Sequence, residues 1–287
     1  MSRPRRIPRD SLTNLVRQVD SQPEGALAPD TVPSGFPSLD RLIGGGFRQR
    51  DLVVLGGDVG SGKSALALAF ALRAASAGHR VSFFSGEMDE DRLMERALAL
   101  EARVTVDDLR SASLSEAQRA ALGAAALKFR DLDLHVHPVV GQDFEEAIAP
   151  VLDENPALVI VDYLQLVPPP TARVTQEEDQ ASSIRSLKAL ALNRRIVCLV
   201  VAQLPRHIAD RADPRPSLDD FGVLGSVKQH ADLVLGIYRE EMYNPGGGVE
   251  GATELIVAKN RNGPTGFVDL YFYQRWLRFE DMLDPER

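Results

Sequence analysis

The chain has 287 residues, 44% of them hydrophobic and 26% charged, with a net charge of −8. These values fit a globular protein with one sizeable core or two small ones. A single cysteine, Cys198, excludes a disulfide framework and fits a reducing compartment, and no apolar run is long enough to span a membrane.

The N-terminal "MSRPRRIPRD" has no apolar segment behind it, so no secretory leader is read there and a cytoplasmic location is expected. An acidic chain does not advertise nucleic-acid binding. It does not exclude it either, because a channel can be basic inside an acidic particle. Residues 1–30 read as an arm, and residues 31–287 as one further domain. Within the arm "SLTNLVRQVDS" places Leu12, Leu15, Val16 and Val19 on one helical face. So short a helix is marginal alone in water, and its apolar face needs a docking surface on this body or on another subunit.

From residue 51 strands and helices alternate. "DLVVLGG" reads as a strand, "KSALALAFALRAASAG" as a buried helix, "RVSFFSGEM" as a strand and "DEDRLMERALALEAR" as a helix. Ser115 and Gln118 have the spacing of a capping box at the start of the next helix. "LHVHP" reads as a strand with His135 and His137 on one face; the histidines lack zinc-like spacing, so two polar strand positions are the reading. A helix follows at "DFEEAIAPVLDEN". "ALVIVDYLQLV" and "IVCLVVAQL" read as strands buried on both faces, joined by the helix "EEDQASSIRSLKALALNR". Cys198 lies inside the second run as a core thiol. "DLVLGIYRE", "TELIVAKN", "GFVDLYFYQ" and "WLRFED" read as strands with short connections. The whole predicts an α/β fold: a mostly parallel sheet flanked by helices, with antiparallel strands at its C-terminal edge. Two long loops, 167–178 and 204–226, leave the C-terminal ends of strands, where open α/β sheets place ligands.

"GDVGSGKS", residues Gly57, Asp58, Val59, Gly60, Ser61, Gly62, Lys63 and Ser64, fits G-x-x-x-x-G-K-[ST] throughout. It follows a predicted strand and opens a predicted helix, the context a P-loop needs. Backbone N–H groups there curl around phosphate, Lys63 reaches the β- and γ-phosphates, and Ser64 can ligate Mg²⁺. ATP and Mg²⁺ are the expected ligands. Asp162 closes a buried strand, where a carboxylate needs a partner; the Mg²⁺ shell is one, a helix N-cap another. The strand ending near Glu87 is expected beside the P-loop strand. Glu87 there can orient or deprotonate the attacking water, or be a plain helix-start acid. Gln203 ends the strand after Asp162 and can touch the γ-phosphate, or simply end at the surface. Lys259 and Arg261 sit two apart at the end of an apolar run, so both point the same way from an extended strand.

Six blocks in order, "SGFPSLDRLIGGGFRQRDLVVLGG", "VSFFSGEMDEDRLMERALALEARV", "LVIVDYLQLV", "VAQLPR", "GSVKQHADLVLGIYREEMYNP" and "AKNRNGPTG…RFED", resemble the C-terminal motor domain of DnaB-type replicative helicases. The resemblance implies a RecA-like P-loop ATPase, a ring-shaped homo-oligomer of six copies, and translocation on single-stranded DNA. It implies Glu87 as catalytic carboxylate, Asp162 as the Mg²⁺-side acid and Gln203 as γ-phosphate sensor. Lys259 and Arg261 match the cations that serve a neighbouring subunit's ATP, with Arg261 as arginine finger. The family's N-terminal helical domain has no counterpart in this sequence, which argues against a primase contact. "DVGSGKS" looks more like RadA or KaiC relatives. Gly222 and Val223 stand where the family commonly has Arg-Glu in a loop that follows DNA phosphates. Arg206, Arg211, Arg215 and the backbone at Gly222 and Gly225 are the remaining candidates for DNA contact. The rival readings are a KaiC- or RadA-like regulatory or recombination-accessory ATPase that does not unwind, and a degenerate member serving as a binding module. The intact Lys63, Ser64, Glu87 and Asp162 speak against the last.

Overall fold

A computed structural model describes residues 9–139, 144–166, 175–204, 211–222, 225–244, 246 and 249–282. In chain order the elements are α1 (Arg9–Ser21), β1 (Thr31–Val32), α2 (Pro37–Ile43), β2 (Phe47–Arg48), β3 (Leu52–Gly57), α3 (Lys63–Ser76), β4 (Val81–Ser85) and α4 (Glu90–Ala102). Then come α5 (Val106–Arg110), α6 (Glu116–Arg130), β5 (Leu134–Pro138), α7 (Phe144–Asp153), β6 (Leu158–Asp162), α8 (Gln176–Arg194) and β7 (Val197–Gln203). The last are α9 (Ser226–His230), β8 (Leu233–Tyr238), α10 (Glu240–Tyr243), β9 (Ala252–Asn260), β10 (Gly266–Tyr273) and β11 (Arg278–Asp281).

The main sheet runs β11-β10-β9-β8-β3-β7-β6-β4-β5. Strands β3 to β8 pair in parallel and β9, β10 and β11 are antiparallel, as the sequence predicts. Period-2 alternation gives the sheet two apolar faces. On one, Val53, Leu55, Ile160, Leu199 and Leu235 pack with α3. On the other, Leu52, Val54, Val159, Val161 and Cys198 pack with α7 and α8. Helix α3 is apolar nearly all round because it lies inside the first core, with ten of its residues buried. Burial pushes the Cys198 thiol up to about 12, as befits a core residue. Ser115 and Gln118 do form the capping box of α6.

Three expectations need correction. Strand β4 does not lie beside β3; β7 and β6 stand between them. Both are apolar on both faces and fit the sheet interior. The connection through α3, about 21 Å long, easily carries the chain the roughly 14 Å across three strand spacings. Second, the run "ALVIVDYLQLV" is not one strand: it ends at Asp162 and turns into a 3₁₀ helix at Leu164–Leu166. Third, "SGFPSLDRL" holds an unpredicted helix, α2, started by Pro37. Its entry is fixed by Asp40, which accepts from the Ser34 and Gly35 N–H groups, and by Asp281 of β11, which accepts from Ser38 N and Oγ. The first and last parts of the domain are thereby tied together.

Candidate nucleotide-binding site

Four parallel strands end on one rim of the sheet, and each delivers a predicted residue. Register pairs Gly57 with Gln203 and Ser85 with Asp162, and Gly86 N donates to Asp162 O at 2.9 Å. The P-loop leaves β3, Glu87 follows β4, Asp162 ends β6 and Gln203 ends β7. Together with Gly60, Lys63 and Ser64 these line a cleft of about 350 Å³. Gly60 and Gly62 take left-handed conformations, φ 78° and 99°, and Gly62 caps α3. A side chain on Gly62 would come within 2.9 Å of the Phe279 ring, so glycine is required on two counts.

The electrostatics suit a cation and an anion bound together. Asp162 is 5% exposed. Burial pushes its carboxyl up, the Ser64 hydroxyl opposes this by hydrogen bonding, and nearby Glu87 pushes up further. Lys63 is pushed down by burial and held up by Asp162, Asp58 and Glu87, while its Nζ donates to the Asp58 carbonyl at 2.7 Å. The Ser61 hydroxyl is buried without a hydrogen-bond partner among the described residues. No cluster of three metal-ligating side chains occurs among the described residues. The donor set fits Mg²⁺ of the kind that takes few protein ligands and fills its shell with phosphate and water: Ser64 and Asp162 would hold it.

Sequence reasoning missed three residues at or against this cleft, Arg96, Tyr163 and Arg239. Arg96 of α4 and Tyr163 line the cleft, and Arg96 favours the charged form of Asp162. Its signal was available, since Leu93, Ala97 and Leu100 mark the buried face next to it. Arg239, 4% exposed, donates to the Gly60 carbonyl at 3.3 Å, pairs with Glu241 and lies 4.5 Å over the Phe272 ring. No spacing in the sequence announces that brace under the P-loop.

The remaining candidates lie elsewhere. Asn260 pairs with Leu233, which pairs with Val53, and Arg261 N donates to Asp232 O. Lys259 and Arg261 therefore sit at the opposite rim, about 16 Å from the P-loop along β3. Lys259 donates to the carbonyls of Lys228 and Ala231. Arg211 makes two 2.9 Å hydrogen bonds to Asp220, and Arg215 two to Glu254 at 2.7 and 2.6 Å. The N–H groups of Gly222 and Gly225 donate to Asp219 and Gly222 carbonyls. Arg206 and Val223 lie outside the described residues.

Comparison with known proteins matches residues 31–281 to the family "DnaB-like helicase C terminal domain". The chain belongs to this family. It is 31% identical over 257 residues to the replicative DNA helicase DnaB of Geobacillus stearothermophilus, covering 88% of this chain and 56% of that protein. It is 32% identical over 272 residues to DnaB of Pasteurella multocida, covering 92% and 58%. The chain thus spans less than two thirds of these relatives. A solved structure of an isolated ATPase domain superposes with a TM-score of 0.86 at 26% identity, covering 95% of this chain and 98% of that one. A DnaB-like replicative helicase, solved in a study of its interactions with primase, gives 0.88 at 26%, covering 96% and 68%. The family's fold is the RecA-like α/β fold read from the sequence. No described helix is long and apolar enough to cross a membrane.

Proposed function

We infer that the chain is an ATP-dependent DNA helicase or translocase motor of the DnaB type, hydrolysing ATP between copies of itself and acting on single-stranded DNA. The observation that carries this is the division of the site. Lys63, Ser64, Glu87, Asp162 and Gln203 share one rim, while Lys259 and Arg261 lie on the other, too far for any arginine to reach its own cleft. A cation pair so placed serves a neighbouring copy's nucleotide or serves none.

In this reading P-loop amides and Lys63 bind the phosphates, and Arg96 and Gln203 flank the γ-phosphate. Mg²⁺, held through Ser64 and Asp162, supplies charge neutralisation on the phosphate oxygens. Glu87, exposed at the mouth, takes a proton from the attacking water. The neighbour's Arg261 offsets charge in the transition state, an effect worth ~10³–10⁵ in rate. Residues 31–287 form the motor. Residues 1–30 form an arm whose helix α1 leaves Leu12, Leu15, Val16 and Val19 each more than half exposed, the face expected to dock on another copy. Six copies in a ring and a cytoplasmic location complete the reading. With Arg211 and Arg215 engaged internally, side-chain contact to DNA from the described part of the long loop is sparse.

The matched family favours this over the KaiC- or RadA-like alternative. The test is the ATPase rate with and without single-stranded DNA, together with mixed assemblies. Arg261→Ala should lose turnover yet keep nucleotide affinity within about threefold, since a finger acts mostly in the transition state. Mixing it with Glu87→Gln protein should restore part of the activity. Absence of DNA stimulation would favour the regulatory ATPase, and absence of rescue would remove the neighbour role of Arg261.

A further inference from the structure

Asp232 stands just before β8 and is 3% exposed. A carboxylate so buried is stable only with several donors around it. It has two hydrogen-bond donors and one further ion-pair partner, from three elements. The Leu52 N–H, at the start of the P-loop strand, donates to Oδ2 at 2.9 Å. Lys188 of α8 donates to the same oxygen at 2.5 Å. Arg261 sets its Nε 2.9 Å from Oδ1. The main chain repeats the link: Arg261 N donates to Asp232 O at 2.8 Å, and Asp232 N to Leu52 O at 2.9 Å.

The strand leading to Arg261 is aimed by a bulge. Val234 pairs with Lys259 but Leu235 pairs with Val257, so Ala258 is an extra residue. Without it every later side chain would change face. Beyond the bulge the guanidinium is held on one side only. Nε is ion-paired with Asp232, Nη2 donates to the Gln229 carbonyl at 3.0 Å, and Nη1 has no intrachain acceptor among the described residues. The side chain is 49% exposed. A free arginine loses rotamer entropy on being ordered, and one already fixed along an edge loses less on meeting a phosphate.

We propose that Asp232 is the positioning residue for Arg261, holding the guanidinium by Nε so that its outer nitrogens face the nucleotide of the neighbouring copy. This rests on the neighbour role of Arg261 inferred above. The competing account is that Asp232 serves its own P-loop, through the Leu52 N–H. The two accounts put the defect of an Asp232 variant on opposite rims, and mixed assemblies separate them.

The experiment uses the full chain. Asp232→Asn should lower kcat about 10- to 100-fold, the scale of a misplaced catalytic group, with KM for ATP within about threefold. Mixed with Glu87→Gln, whose Asp232 and Arg261 are intact, Asp232→Asn protein should regain activity, because its own cleft then meets a sound arginine. Mixed with Arg261→Ala it should regain none. The reverse pattern, rescue by Arg261→Ala and not by Glu87→Gln, overturns the proposal and assigns Asp232 to the P-loop. The control mixture of Arg261→Ala with Glu87→Gln reports on the neighbour role alone. Should that control fail, the double variant still decides the link between the two residues. Asp232→Asn adds no loss to Arg261→Ala if it works through the arginine, and a further tenfold loss refutes that. Should Asp232→Asn not fold, Asp232→Glu, which keeps the charge but shifts it by one methylene, takes its place in the same mixtures.

Discussion

Gly62→Ala is the sharpest probe of how the P-loop is built. At φ 99° the glycine occupies backbone space that costs an alanine about 1–2 kcal/mol. The new methyl would also stand 2.9 Å from Phe279 Cζ and 3.1 Å from Cε2. That ring is fully buried and stacked on Phe272 with centroids 4.4 Å apart, so it has little room to retreat. Overpacking of this kind costs about 1–3 kcal/mol. The sum is a loss of about 2–5 kcal/mol, to be read from urea unfolding of the full chain. ATP affinity should fall by at least about tenfold if some 1.4 kcal/mol of that strain is transferred to the phosphate cradle. The two contributions are separable. Phe279→Leu should relieve the crowding part in the double variant, a coupling of about 1–3 kcal/mol, and leave the backbone part untouched. A single variant within about 0.5 kcal/mol of the parent, the range of an inconsequential surface change, would show that the loop does not rest on Phe279 as described.

Lys63→Ala should abolish ATP turnover, because the phosphates lose their main protein cation; near-parental turnover would refute the P-loop assignment. Asp51 is pushed up to about 6 by burial and by Asp232, against Lys188, Arg48 and Arg261. A carboxyl raised in the folded state contributes stability below its unfolded pKa and loses it as pH rises through 6. Asp51→Asn should therefore stabilise more at pH 8 than at pH 5, by about 1 kcal/mol, one pKa unit's worth; parallel stability curves for the two proteins would rule this out. Deleting residues 1–22 should lower the assembly size seen by light scattering while leaving the unfolding midpoint nearly unchanged, and an unaltered size would sink the docking role of α1. Arg211→Ala and Arg215→Ala should leave the salt slope of single-stranded DNA binding unchanged, since each guanidinium is already paired. A slope lowered by about one counterion per residue would show that they exchange partners for phosphate.

Much of the site was legible because its chemistry is local. The P-loop is eight contiguous residues, and Asp162 and Gln203 each follow an apolar, β-branched run of strand length, although the run holding Asp162 reads as a strand beyond it. Arg261 was legible as a cation but its distance from Lys63 was not, because that depends on strand order. The expected adjacency of β4 and β3 failed for the same reason: a long crossover fixes handedness well and the number of strands skipped poorly. Arg239 escaped because an arginine at the end of an apolar strand reads as a surface residue until its acceptors are known, whereas Arg96 could have been placed next to the buried face of α4 but not at the cleft. Gly222, read as a missing phosphate contact, has φ 48° and ψ −127°, so an arginine there would strain the backbone.

On the proposed neighbour role of Arg261, the placement of the P-loop and Arg261 on opposite rims gives each copy a head and a tail. Two copies related by a twofold axis would present like to like. Contact between unlike ends is heterologous and repeats without limit unless its rotation closes. A closed assembly then has as many complete sites as copies. An open one always leaves one cleft without an arginine and one arginine without a cleft. Specific activity per copy would therefore report closure itself, rising as short open chains join into rings even though no individual site changes.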